Sequence, residues 1–316
     1  MFALSKTLTD RGVLGLNQRN ADYTLWHNPR HLYPLVDDKL TTKRLAEKAG
    51  LAVPELYGVV EIERQVRGLA SLLKPYDDFV IKPAQGSGGD GIIVVTGRRN
   101  TRFRKASGQF ITQEDIDHHV SNTLSGLYSL GGHPDKALIE YRVQFDPIFE
   151  AISFQGVPDI RIIVFLGVPV MAMVRLPTRM SDGKANLHQG AIGAGIDLAT
   201  GLTLSGVWRN EIVTEHPDTE QPIVGVQIPH WETLLHQSAQ CYELTGLGYQ
   251  GVDLVLDKTK GPLILELNAR PGLNIQIANR TGLLPRLHLV EQEFKNLTSL
   301  ADRLDFAKHH FATGKQ

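Results

Sequence analysis

The 316-residue chain carries 33 Lys and Arg against 34 Asp and Glu, a formal net charge of -1, with 42% apolar residues. That length can bury a substantial core, in two domains or one large α/β domain. The near-neutral charge argues against a broad electrostatic grip on nucleic acid. The one cysteine, Cys241, excludes an internal disulfide framework and fits a reducing cytoplasm.

The N-terminus, MFALSKTLTDRG, lacks an apolar signal-peptide core. Residues 1–36 read as an irregular polar and aromatic segment, with Asn17, Arg19, Asn20, Trp26 and Tyr33 scattered through it. A helix is predicted from Asp37, its N-cap, to Gly50 at the C′ position. Ile62, Val66, Leu69 and Leu73 then follow helical spacing up to Pro75. Phe79–Lys82 and Ile92–Val95 read as strands on either side of a glycine-rich loop, and the basic stretch 97–110 (GRRNTRFRKASGQF) as a mobile loop. Thr112 and Asp115 form a capping box that opens a helix running to about Gly126.

Residues 137–143 and the hairpin 160–176 are strand-like. The longest apolar stretch, Ile162–Val174, is interrupted by Gly167 and Pro169 and is too short to span a bilayer. Trp231–Thr245 is an amphipathic helix closed by Gly246, with Cys241 inside its core pattern, and strands 251–256 and 262–268 flank the turn Asp257–Gly261. Strands and helices alternate irregularly with several hairpins, which predicts an α+β fold rather than a doubly wound parallel sheet. The expected protein is soluble and cytoplasmic, with neither membrane nor nucleic acid as a partner.

The segment Lys82-Pro-Ala-Gln-Gly86-Ser87-Gly88-Gly89-Asp-Gly91 is the first with chemical content. Glycines let backbone N–H groups approach phosphate oxygens and adopt positive φ angles, and Lys82 adds a point charge. A dinucleotide fingerprint would need a following helix, but Ile92–Val95 reads as strand. A Walker loop would need a terminal Gly-Lys-Ser/Thr, and a protein kinase His-Arg-Asp and Asp-Phe-Gly triplets; none occurs. What remains is a strand–loop–strand nucleotide lid, or a flexible hairpin tip.

The second feature pairs Asp253 in GVDLVLD with Glu266 and Asn268 in PLILELNARPG. Side chains alternate along a strand, so Glu266 and Asn268 share a face. A hairpin centred on residues 258–261 sets Asp253 opposite Glu266, and a slip of one residue would spoil the pairing. Like charges so opposed are destabilising unless something positive lies between them. Two carboxylates and an amide oxygen form a hard oxygen set suited to Mg²⁺ shared with phosphates. The plainer reading is one solvated carboxylate, or a pairing with Arg270.

In order and spacing these motifs resemble the ATP-grasp superfamily, and most of all its RimK-type branch, the α-L-glutamate ligases that add glutamate to a ribosomal protein. The resemblance covers residues 37–283 and rests on Asp38-Lys39 opening a helix, VIKPAQGSGGDGI, IEYRV, PDIRIIVF, KANLHQGA, and GVDLVL followed by LELNARPGL. It implies an α+β ATP-grasp fold whose two subdomains clasp ATP: a short N-terminal segment (1–36), a central subdomain with the lid loop (37–139) and a C-terminal subdomain with the metal site (140–316). Relatives carry a full α/β domain before the Asp-Lys helix, where this sequence has a short extension.

The resemblance further implies roles for matching positions. Lys39 and Lys82 would contact the nucleotide phosphates, with Gly86, Ser87, Gly88, Gly89 and Gly91 closing over them. Glu140 would lie on the strand that meets adenine through its backbone, and Asp159 would take the ribose hydroxyls. Arg161, Lys184 and Asn186 would gather at the γ-phosphate and acyl phosphate, and Asp253, Glu266 and Asn268 would hold one or two Mg²⁺ ions, with Mn²⁺ as a substitute. Arg270 and Asn274 are substrate candidates; Arg270 could clamp a carboxylate bidentately or pair with an acid. Without the motifs, Lys39 and Lys184 read as surface lysines, and His188 as a hydrogen-bonding scaffold. His118-His119 and His309-His310 lack metal-ligand spacing and read as solvated.

The implied activity is ATP-dependent ligation of a carboxylate to an amine, the partners being ATP and an amino acid, peptide or protein; a homo-oligomer is compatible. A phosphotransferase or a catalytically silent ATP-binding regulator on the same fold would share the nucleotide residues.

Overall fold

The computed structural model describes residue 8 and residues 10–86, 88–129 and 131–313. The chain divides into two units, a smaller one of residues 38–44 and 53–143 and a larger one of residues 1–37, 45–52 and 144–316.

The smaller unit is built on a six-stranded antiparallel sheet of β1 (Leu56–Val60), β2 (Phe79–Pro83), β3 (Ile93–Arg99), β4 (Arg102–Lys105), β5 (Phe110–Ile111) and β6 (Ala137–Glu140), ordered β1-β6-β2-β3-β4-β5. One face is apolar because Phe79, Ile81, Val95 and Phe103 alternate toward it. Ile116 and Val120 of the helix Gln113–Leu124 complete that core. Thr112 and Asp115 close the expected capping box, Asp115 N–H donating to Thr112 Oγ1 at 3.2 Å and Thr112 N–H to Asp115 Oδ2 at 2.8 Å.

The basic stretch 97–110 is not a loop. It completes β3, turns at Asn100 and returns as β4 and β5. Its one large apolar residue facing inward, Phe103, is buried, and the Arg98 guanidinium lies 4.4 Å over that ring. The alternation was hidden because the outward positions carry arginine. Two more corrections concern helix ends. Asp38, not Asp37, caps the helix Lys39–Lys48, accepting from Thr41 N–H at 2.9 Å. The helical spacing 62–73 resolves into two short helices, Glu63–Val66 and Leu69–Leu73.

The larger unit carries a seven-stranded antiparallel sheet of β7 (Asp159–Phe165), β8 (Val168–Leu176), β9 (Ile192–Ile196), β10 (Thr203–Trp208), β11 (Glu211–Val213), β12 (Tyr249–Asp257) and β13 (Gly261–Asn268), ordered β11-β10-β9-β8-β7-β12-β13. The helices Trp231–Thr245 and Leu300–His310 pack on β8, the first also on β7. Cys241 is buried there, as core. Residues 16–37 form successive helical turns, including a π-helical Arg19–Thr24, rather than an irregular segment. Scattered polar residues fasten this segment: Asn28 donates to the carbonyls of Tyr249 (2.6 Å) and Ala269 (2.9 Å), and Arg19 to that of Pro271 (2.8 Å). Among the described residues no helix is long and apolar enough to cross a membrane.

The β12–β13 hairpin decides the site's geometry. Asp257 Oδ1 accepts from the N–H groups of Thr259 and Lys260, both at 2.9 Å, which fixes the turn. Beside that turn Asp257 pairs with Gly261 and Leu254 with Ile264, one residue off the symmetric pairing about 258–261. A bulge at Leu265 then restores it, so that Asp253 stands opposite Glu266. Without the bulge Glu266 would face the other side of the sheet.

Candidate active site

In the smaller unit, Lys82 leaves β2 on the face opposite the apolar core, where its ammonium pairs with Glu140 at the end of β6. Glu140 is 3% exposed and is also held by Lys43, 2.9 Å from Oε2. Burial works to raise its pKa, but the two ammoniums outweigh burial and hold the carboxyl below its usual range. Two lysines against one carboxylate leave a local positive excess, suited to an anion. Lys39, one helical turn before Lys43, donates from Nζ to the Gly86 carbonyl at 2.6 Å.

In the glycine loop, Gly88, Gly89 and Gly91 have φ of 66°, 84° and 74°, a conformation that any other residue would hold under strain. Ser87 lies outside the described residues. On the strand expected to meet adenine, the Tyr141 N–H already donates to the Glu55 carbonyl at 2.8 Å.

In the larger unit, Arg161, Asp253 and Glu266 form a row across β7, β12 and β13, each directly opposite the next. Arg161 grips Asp253 bidentately, Nε to Oδ1 at 2.7 Å and Nη2 to Oδ2 at 2.5 Å. Arg175 on β8 lies opposite Asp159, engages both of its carboxylate oxygens, and also donates from Nη2 to Asp253 Oδ2 at 2.9 Å. Asn268 Nδ2 donates to Asp253 at 3.3 Å and Glu266 at 3.4 Å.

The two buried aspartates diverge in acidity. Burial would raise Asp253, but Arg161 and Arg175 together hold it below the usual carboxylate range. For Asp159, burial, reinforced by Asp253, outweighs the bonded Arg175 and the weaker influence of Arg161, and its pKa rises to about 6.

The remaining expected residues sit as follows. Lys184 is exposed, and Asn186 Oδ1 accepts from the His188 N–H at 3.0 Å, capping the turn Leu187–Gln189. His188 is exposed. Arg270 is exposed with its guanidinium 5.3 Å over the Tyr33 ring, and half-buried Asn274 opens the helix Ile275–Asn279. His118 is exposed, but His119 is half-buried and hydrogen-bonded, contrary to the expectation of a solvated pair.

Two site residues escaped the sequence reading. Arg175 had a signal: a hairpin turning at Gly167 sets residue 175 opposite residue 159. Lys43 had one too, a lysine one turn after Lys39 on the same helix.

Among the described residues no three His, Cys, Asp or Glu side chains gather closely enough to hold a metal. Glu266, Asn268 and Asp253 nevertheless share one face: the Glu266 carboxylate is half-exposed beside half-exposed Asn268, whose Nδ2 points at both carboxylates, while both Asp253 oxygens are held by Arg161 and Arg175. A set of this kind fits Mg²⁺, which takes one or two carboxylates and completes its shell with phosphate and water oxygens.

No curated protein matches the chain. Among solved structures it is similar to the ATP-grasp ligase PsnB complexed with a minimal precursor, at 15% identity and a TM-score of 0.44, covering 83% of this chain and 60% of that one. It is similar to the D-alanine–D-alanine ligase of Bacillus anthracis complexed with ATP, at 14% identity and 0.45, covering 88% and 67%. It is also similar to the D-cycloserine synthetase DcsG, at 17% identity and 0.45, covering 84% and 72%. The chain thus spans about three fifths of the length of PsnB. The motif resemblance holds at the level of the superfamily, while the family matched is not described as the RimK-type branch. Residues 18–292 match the model of the sugar-transfer associated ATP-grasp family, and the chain belongs to that family.

Proposed function

We propose that the chain is an ATP-dependent ligase that joins a carboxylate to an amine through an acyl phosphate. The observation that carries this reading is the row Arg161–Asp253–Glu266, a guanidinium locked between strands beside a half-exposed carboxylate and amide. A protein that only bound nucleotide would have no need to lock an arginine there.

In the proposed reaction a substrate carboxylate oxygen attacks the γ-phosphorus of ATP and the β–γ bridging bond breaks, releasing ADP. An amine then attacks the acyl carbon, phosphate leaves, and the nitrogen loses a proton to form the amide. Arg161, oriented by Asp253, and Lys184 offset charge on the transferring phosphoryl group. Asn186 positions the same loop. Lys39 and Lys82 hold the nucleotide phosphates beneath the glycine loop, and the backbone around Glu140 and the carboxylate of Asp159 are proposed for adenine and ribose. Glu266 and Asn268, with Asp253 behind them, would hold Mg²⁺, which supplies charge neutralisation on the phosphate oxygens when bound. Arg270 and Asn274 are proposed for the carboxylate substrate.

The family description links its members to sugar transfer, so amino sugars and uronic acids join amino acids and peptides as substrate classes. Glutamate stands among them on motif resemblance. The test is ADP release from Mg·ATP across that panel, with mass spectrometry of the products. Release that needs both a carboxylate and an amine, with a product of their summed mass less water, supports the ligase. A stable phosphorylated product formed without an amine would instead make it a phosphotransferase.

A further inference from the structure

His119, on the helix Gln113–Leu124, has no part in the reaction proposed above, yet it is bonded to the glycine loop. Its Nε2 lies 2.8 Å from the Gly91 carbonyl oxygen, and its Nδ1 lies 3.3 Å from the Tyr128 hydroxyl. A carbonyl only accepts, so Nε2 bears the proton, and Nδ1 accepts from the tyrosine O–H. Burial, the dominant influence, lowers the His119 pKa, and Lys105 adds to it against the Gly91 hydrogen bond, which keeps the ring in that neutral form. The Tyr128 ring also covers Gly91 itself. A Cβ at Gly91 would stand 2.5 Å from Tyr128 Cγ, and the φ of 74° disfavours any side chain there. Gly88 and Gly89, by contrast, have open space where a Cβ would be. One end of the loop is therefore fastened while its middle stands open.

We propose that His119 and Tyr128 are positioning residues that latch the Gly91 end of the glycine loop, presetting its backbone N–H groups for the nucleotide phosphates. The proposal rests on the nucleotide reading of that loop. A loop already fixed at its base loses less conformational freedom when phosphate binds, so the latch should appear as nucleotide affinity.

The experiment measures two quantities on the full chain and its variants His119→Ala, His119→Gln and Tyr128→Phe. One is hydrogen exchange over residues 88–94; the other is calorimetric binding of Mg²⁺ with the non-hydrolysable ATP analogue AMPPNP. For His119→Ala the expected result is about tenfold faster exchange in the loop and about tenfold weaker binding. The glutamine amide reaches as far as Nε2 and can donate to Gly91, so His119→Gln should recover most of both losses; Tyr128→Phe should fall between. Unchanged exchange and affinity in folded His119→Ala would overturn the latch, as would His119→Gln behaving like His119→Ala. Failure of the parent chain to bind the analogue would strike the nucleotide reading instead, and the exchange comparison would then decide the latch alone.

Discussion

Arg161 stands directly across the sheet from Asp253, and its guanidinium holds both oxygens of that carboxylate, at 2.7 and 2.5 Å. Asp253 is 2% exposed. Removing one member of a buried pair leaves the other charge uncompensated, at a cost of about 3–5 kcal/mol. Asp253→Ala leaves Arg161 without its carboxylate and takes one partner from Arg175, which keeps Asp159, whereas Arg161→Ala leaves Asp253 with Arg175. Urea denaturation should therefore show the larger loss for Asp253→Ala. Equal losses, or a loss under about 1 kcal/mol for either, would contradict the assignment of this pair as structural support.

In the smaller unit Glu140 is expected to stabilise in one direction of pH. Its folded pKa is depressed below 4.5 by Lys82 and Lys43 against the effect of burial. Its contribution is therefore present above 4.5 and lost as pH falls through the folded value. Glu140→Gln should lower stability at pH 7 and flatten the acid limb of the stability curve. A parallel acid limb in the variant would show that the depression is not real.

Asp159 runs the other way. With a folded pKa of about 6 against an ordinary 3.8, its contribution is fully present below 3.8 and lost as pH rises through about 6. Carbon-13 NMR of the aspartate carboxyls should find one titrating near pH 6 that vanishes in Asp159→Asn. No carboxyl titrating above pH 5 would rule this out.

Glu266→Ala is expected to abolish turnover while leaving the unfolding midpoint close to that of the parent chain, because Glu266 is half-exposed at the end of the charged row. Near-normal turnover by the folded variant would remove Glu266 from the metal set.

Much of this arrangement was legible in the sequence. The hairpin 251–268 placed Asp253 opposite Glu266, and the capping box at Thr112 and the helix 231–245 needed only local pattern. What escaped depends on contacts between distant segments. The bulge at Leu265 that secures the Asp253–Glu266 register has no local signature, since Leu265 resembles its neighbours in every respect that pattern reading uses. Arg175 reads as a strand end until the hairpin is folded about Gly167 and brings it against Asp159 and Asp253. The β3–β4 hairpin was concealed by arginines on its exposed face, where β propensity is weakest as evidence. Residues 16–37 gave no periodicity because short helical turns of three to six residues, one of them π-helical, cannot present a repeating face.

The most direct test of the ligase reading follows oxygen. With the carboxylate substrate found by the panel labelled with ¹⁸O, the account predicts that one labelled oxygen passes into the phosphate released with ADP, since the attacking carboxylate oxygen becomes the bridge of the acyl phosphate. Label recovered in AMP, or phosphate free of label while amide accumulates, would contradict it.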